Sequence, residues 1–176
     1  MLLWRGWLAF QSRPLPSRWW LLAKAATPSQ YLPRHPEHET KSVELVHAMS
    51  ERLRVPAECR DLAAAAAGWH GKIHGALTLK ADGLLALYEG CDALRRPERF
   101  HALLEVAGFD HHGRLGYDNV PFLPTPFLLA GLARLQALDQ GAIAKSVNEA
   151  TIAGDIATAI RDAKRVALKK FIDDHP

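Results

Sequence analysis

From Lys41 onward, apolar residues recur at steps of three and four. Val43, Val46, Met49 and Leu53 mark one face of a helix, and Thr40 or Ser42 stands where an N-cap is needed. Pro56 suits the first position of a second helix, with Glu58 in its first turn complementing the helix dipole. This helix runs through the alanines 63–67 toward Gly68; the pattern leaves open whether it stops there or continues through Trp69 and His70. Thr78 is placed to cap a third helix, roughly 79–95, whose stripe is Leu84, Leu87, Cys91 and Leu94. Pro97 opens a fourth, about 97–107, which Gly108 stops. Residues 109–125 hold Gly113, Gly116, Pro121 and Pro124 and read as a long loop. Helices over about 126–138 and 154–173 follow, with a short helical turn between them. No strand-like alternation is long enough to count, so the predicted class is all-α.

Composition adds boundaries. A chain of 176 residues makes one domain, or one with an appendage, and 48% apolar residues suffice for a core. The predicted organisation is an atypical arm over 1–34, a helical domain over 35–108 and a helical tail over 109–176. Four of the five tryptophans (Trp4, Trp7, Trp19, Trp20) and four prolines set the arm apart. Its opening MLLWRGWLAF is interrupted by Arg5 and lacks a preceding basic region, which argues against a secretory signal. No run of about 18 uncharged apolar residues is present, so no membrane span is expected. Cys59 and Cys91 are the only cysteines; they exclude a disulfide framework and a multi-cysteine zinc site, and suit a reducing cytoplasm. Residues 1–36 carry five basic side chains and no acid, so of the net +3 the remainder holds −2. Any nucleic-acid footprint on the body is therefore a local patch.

The candidate chemistry is sparse. Glu37, His38 and Glu39 crowd together before the first helix, as a solvated turn or half of a metal site. His70 and His74 are four apart and share a face on a continuous helix, a spacing used by paired metal-binding histidines and common by chance among nine. Asp92 falls mid-helix in the predicted pattern, where Asp has poor propensity; a salt bridge to Arg95 or Arg96 is the plain explanation. Arg95, Arg96 and Arg99 flank Pro97 where one helix yields to the next, either as cations at a helix C-terminus or as a phosphate site. There is no Gly-rich phosphate loop, no G-x-S-x-G, no H-E-x-x-H and no strand-borne aspartate pair for two magnesium ions.

Several short segments then line up in order: Ala26-Thr27-Pro28, Arg34-His35 through His38, Leu53-Arg54-Val55-Pro56, Arg60-Asp61-Leu62-Ala63, His70 through His74, Asp92-Ala93 with Arg95-Arg96-Pro97-Glu98-Arg99, and Gly113-Arg114-Leu115-Gly116-Tyr117. From Lys24 to about Phe171 the chain resembles the C-terminal half of bacterial CCA-adding tRNA nucleotidyltransferases. The resemblance implies a helical HD-type phosphohydrolase-like region with a tail. It assigns His38, His70 and Asp92 to a divalent-metal site (magnesium or nickel), with tRNA as partner and a cytoplasmic location. It also implies 2′,3′-cyclic phosphodiesterase, 2′-nucleotidase and phosphatase activities for that region. The head that adds C, C and A has no counterpart. Where the family reads His-Asp-Leu-Gly-Lys, this chain reads Trp20-Leu21-Leu22-Ala23-Lys24. Trp and Leu offer neither lone pair nor charge, so metal binding is expected to be weak or absent and the first 23 residues to reflect a rearranged start.

Three functions compete. The first is a catalytically impaired fragment that keeps tRNA affinity through Arg95, Arg96, Arg99, Arg114, Arg161, Lys164, Arg165, Lys169 and Lys170. The second is a live metal-dependent phosphohydrolase completed by His111, His112 or a partner chain. The third is a helical interaction module, as a homodimer or bound to a nucleotidyltransferase head.

Overall fold

The computed structural model describes residues 38–149 and 155–175. Seven α-helices follow in order: α1 His38–Arg52, α2 Ala57–His74, α3 Ala81–Gly90, α4 Pro97–His112, α5 Pro124–Gln136, α6 Gln140–Glu149 and α7 Ile156–Asp173, with a 3₁₀ turn at Ala76–Thr78 before α3. The described residues contain no strand, and the fold is all-α.

Several helix ends differ from the pattern reading, each for a local reason. Helix α1 begins at His38, so Thr40 and Ser42 lie inside it, and Ser42 is buried rather than capping. It ends in a Schellman motif: Val55 N–H reaches the Ser50 carbonyl at 2.9 Å and Arg54 N–H the Glu51 carbonyl at 3.2 Å. Arg54 takes the left-handed conformation that this motif requires, at φ 51°. The Pro56 carbonyl accepts the first α2 bond from Arg60 N–H at 3.0 Å, which puts Pro56 at the N-cap, one position before the helix. Gly68 does not stop α2. A Cβ there would lie 3.3 Å from Val43 Cγ2, so this glycine lets α1 approach closely.

The Thr78 hydroxyl donates to the Gly75 carbonyl at 2.9 Å and closes the 3₁₀ turn; it does not cap α3, whose N-cap is Lys80. Helix α3 ends at Gly90, five residues short of the predicted bound, because Asp92 turns left-handed at φ 56°. A second Schellman motif forms there, with Ala93 N–H on the Tyr88 carbonyl and Asp92 N–H on the Glu89 carbonyl. Helix α4 passes through Gly108 to His112, and the connection after it shrinks to residues 113–123. Where only a turn was expected, α6 is a full helix, started by the Asp139 carboxylate accepting from Ala142 N–H at 2.9 Å. Asp155 caps α7 through Ala157 N–H and Thr158 N–H, and the Thr158 hydroxyl adds a third bond at 2.7 Å. Those hydrogen bonds, the hydroxyl foremost, hold the Asp155 carboxyl below its ordinary range.

The described chain divides into two compact units, residues 38–71 with 101–122, and residues 72–100 with 123–175. In the second unit α7 packs on α3, α5 and α6. Its core gathers Leu84, Leu87, Tyr88, Phe100, Leu128 and Phe171, all buried. The Tyr88 hydroxyl donates to the Leu128 carbonyl at 2.7 Å, and the Tyr88 and Phe100 rings meet edge to face at 5.6 Å. In the first unit α1 and α2 run antiparallel, with Val43 against Gly68 and Glu39 against Gly71. Leu103, Leu104 and Ala107 of α4 are buried there. Residues 1–34, including the Trp20-Leu21 pair, lie outside the described residues.

Candidate functional site

The first-unit candidates sit on the α1–α2 pair. His38 opens α1, and the carboxylate of the next residue, Glu39, lies against Gly71 of α2, one position past His70. The start of α1 and His70 therefore share one end of this antiparallel pair. A larger side chain at 71 would have to displace Glu39, so the glycine keeps the two helices close at that end. The half-buried His70 ring has Nδ1 3.0 Å from the Ala67 carbonyl. A carbonyl only accepts, so Nδ1 carries the proton and the lone pair belongs to Nε2, as in metal-ligating histidines oriented by a backbone carbonyl. Because α2 is continuous, His74 follows one turn later.

Asp92, the third residue assigned by resemblance, belongs to the second unit and is not mid-helix. It occupies the left-handed position of the Schellman motif, where Asp is among the few tolerated residues other than glycine. Both of its oxygens accept from Arg95, at 2.7 and 3.1 Å, and Arg96 stands 3.5 Å away. The Arg95 hydrogen bond, more than the neighbouring charges, holds the Asp92 carboxyl below its usual range. A hard divalent cation needs several oxygen donors, and this carboxylate is engaged by two guanidinium groups. Among the described residues, no three side chains of His, Cys, Asp and Glu converge as a metal-binding group.

The six candidate phosphate contacts also have protein partners. Besides Arg95 and Arg96 on Asp92, Arg114 bridges to Asp110 at 2.8 Å, Arg161 to Glu89 at 3.5 Å and Arg165 to Asp162 at 3.1 Å. Arg99 differs from these. It is half-buried and donates to the Cys91 carbonyl at 2.9 Å, closing the end of α3. The others are exposed, up to 81% for the Arg95 side chain. Exposed ion pairs of this kind are worth only about 0–1 kcal/mol, so exchanging a carboxylate for a phosphate is inexpensive. Arg165, Lys169 and Lys80 also line an open groove between the start of α3 and α7, together with Asp82 and Asp173.

Comparison with other proteins supplies what the side chains do not. No family model matches the chain, and no solved structure matches it. It is similar to the multifunctional CCA protein of Dechloromonas aromatica, 44% identical over 153 residues that make up 87% of this chain and 36% of that protein. Against the multifunctional CCA protein of Aromatoleum aromaticum it is 42% identical over 165 residues, 92% of this chain and 40% of that protein. Over these matched residues, the chain is similar to the C-terminal part expected of multifunctional CCA proteins. It spans little more than a third of the length of the relatives it matches.

Two of the segments that carried the resemblance to CCA proteins prove to be helix junctions. Leu53-Arg54-Val55-Pro56 is the end of α1 and the cap of α2, and the Asp92–Arg99 segment ends α3 and starts α4. Their sequence signature is largely that of a turn with a left-handed residue and a proline-led successor. Convergence of His111 and His112 had no sequence signal beyond their adjacency. Both Nε2 atoms lie 3.1 Å from one acceptor, the Val120 carbonyl.

Proposed function

We propose that this chain is the C-terminal, HD-type portion of a multifunctional CCA protein, impaired as a phosphohydrolase and retaining contact with tRNA phosphates. The observation that carries the reading is the identity of 44% over 87% of the chain, against 36% of the relative's length. A piece matching so much of itself and so little of the relative corresponds to a part of the longer enzyme. Nucleotide addition belongs, in this reading, to the length that is not matched.

The impairment follows from donor chemistry. The register that the family fills with His-Asp holds Trp20-Leu21 here. Loss of central ligands costs far more than the ~10–100-fold of a change in the residues behind them. Asp92, committed to Arg95 and Arg96, does not replace them. His70 keeps the orientation of a metal ligand without the carboxylates a hard cation wants.

The tRNA contact rests on exposed, exchangeable cations. Arg95, Arg96, Arg114, Arg161 and Arg165 exchange surface carboxylates for phosphates, and Lys169 and Lys170 extend the stripe on α7. Arg99 stays on the Cys91 carbonyl and acts by holding the α3–α4 junction. No described helix is long and apolar enough to cross a membrane.

Fluorescence anisotropy with labelled tRNA across a salt series tests the binding. Log affinity should fall linearly with log salt, and Arg161→Ala or Arg165→Ala should each lower the slope by about one. A slope near zero removes the tRNA reading. Incubation with 2′,3′-cyclic AMP and magnesium or nickel should give no turnover; hydrolysis that His38→Ala abolishes would overturn the impairment.

A further inference from the structure

At the end of α4 two adjacent imidazoles point at the same atom. His111 Nε2 and His112 Nε2 each lie 3.1 Å from the Val120 carbonyl oxygen. Their ring centroids are 5.2 Å apart and nearly perpendicular, at 79°. The His111 ring is held edge-on by Tyr117 at 5.0 Å and flanked by Phe122 at 5.0 Å. The chain between folds back through two turns: Tyr117 N–H reaches the Arg114 carbonyl at 3.0 Å, and Val120 N–H the Tyr117 carbonyl at 3.1 Å. All of these residues belong to the first unit.

Three donors of neutral charge thus form a triangle with two known edges of 3.1 Å. Neighbouring ligands around an ion with bonds of roughly 2.1 Å are separated by about 3.0 Å in an octahedron and about 3.4 Å in a tetrahedron. These two edges match the separation of neighbouring ligands around one ion. We propose that His111 Nε2, His112 Nε2 and the Val120 carbonyl oxygen bind one borderline divalent transition-metal ion, zinc or nickel, with water completing the sphere. Two imidazoles select such ions; magnesium and calcium prefer oxygen-rich sets. The third donor is main chain, so the site stands outside any cluster of three acidic, histidine or cysteine side chains.

Binding exchanges one set of bonds for another. In the metal-free state each Nε2 carries its proton and donates to Val120. On binding, each neutral imidazole carries its proton on Nδ1 instead, the transfer passing through solvent. Two Nε2–metal bonds and one carbonyl–metal bond replace the two hydrogen bonds. The ion then ties residues 113–119 to the end of α4 more firmly than the hydrogen bonds do. The site uses neither His38 nor His70, so it stands or falls apart from the reading of the family pocket.

Isothermal titration of the full, tag-free chain with zinc or nickel chloride, after chelator dialysis, tests it. One ion per chain is expected, with a dissociation constant in the micromolar range. His111→Gln and His112→Gln keep an amide able to donate to Val120, and each should weaken binding at least tenfold. The His38→Ala/His70→Ala double variant should leave affinity unchanged. Zinc should slow amide exchange at residues 113–120 in the parent chain and in neither Gln variant. Circular dichroism of each variant, matched to the parent, confirms that the helices persist. Absence of saturable binding overturns the proposal. So does binding that survives both Gln variants, or binding that depends on His38 and His70.

Discussion

The two units keep their shape by different means. Of the nineteen buried apolar residues among the described ones, fourteen belong to 72–100 and 123–175 and five to the other unit. The richer unit interlocks large side chains: Tyr88 and Phe171 close on the backbone of α5 at Gly131, and the Phe100 ring packs edge to face on Tyr88. The leaner one brings backbones together at Gly68 and Gly71 and exposes Leu53, Phe109, Leu115, Tyr117 and Val120. Burial of apolar area is the main source of folding free energy. Among the described residues, buried apolar area is therefore concentrated in the unit that carries α7.

Gly131→Val should break this contrast most visibly if it is wrong. Its Cβ collides with the Tyr88 hydroxyl and comes 3.3 Å from Phe171 Cε1. Overpacking on this scale should destabilise by about 3 kcal/mol in urea unfolding. In the leaner unit, Gly68→Ala meets only Val43 Cγ2, and the gain in helix propensity offsets the crowding, so the expected change is near zero. Equal losses at the two glycines would erase the distinction.

Ser50→Ala sharpens it. The Ser50 hydroxyl is buried in the leaner unit with no hydrogen-bond partner among the described residues. Removing an unsatisfied buried hydroxyl should stabilise by about 1 kcal/mol. Left-handed positions give a paired comparison. Arg54→Gly relieves the strain of φ 51° and should stabilise by about 1 kcal/mol. Asp92→Gly gains the same relief but loses the contacts to Arg95 and Arg96, so its gain in unfolding midpoint should be the smaller.

The last effect is confined to alkaline pH. Burial pushes the Cys91 thiol up from 9.0 to about 12, against the opposing fields of Arg99 and Lys72. The contribution is full below about 9, the unfolded thiol's range, and is lost as pH rises through 12. Burial raises the Tyr88 phenol in the same direction. The unfolding midpoint should therefore fall between pH 9 and 11, less steeply in Cys91→Ala. At pH 8, Cys91 should react far more slowly with a thiol reagent than the half-buried Cys59.

Element types were legible in the chain because a helix repeats its apolar face every 3.6 residues. Val46 and the stripe Leu84, Leu87 and Cys91 are buried as that period requires. Boundaries were less legible. Gly108 reads as a stop and Gly68 leaves the end of α2 open, yet α2 and α4 pass through both. A glycine that ends a helix and one that admits a neighbouring helix look alike until the neighbour is known. The apolar period puts Asp92 mid-helix; its left-handed φ makes it a terminator, set by the hydrogen bonds of Ala93 and of Asp92 itself.

Composition, period and ordered short segments determined the all-α class and the resemblance to CCA proteins, because both are written in local sequence. Which side chains share partners was decided only in three dimensions. Arg99 on a carbonyl, and His111 with His112 on Val120, depend on where turns bring backbone atoms; the Asp92–Arg95 pair, three residues apart, was already legible in the sequence. Hydrogen bonds form over about 3 Å, and that distance is fixed by packing, not by spacing along the chain.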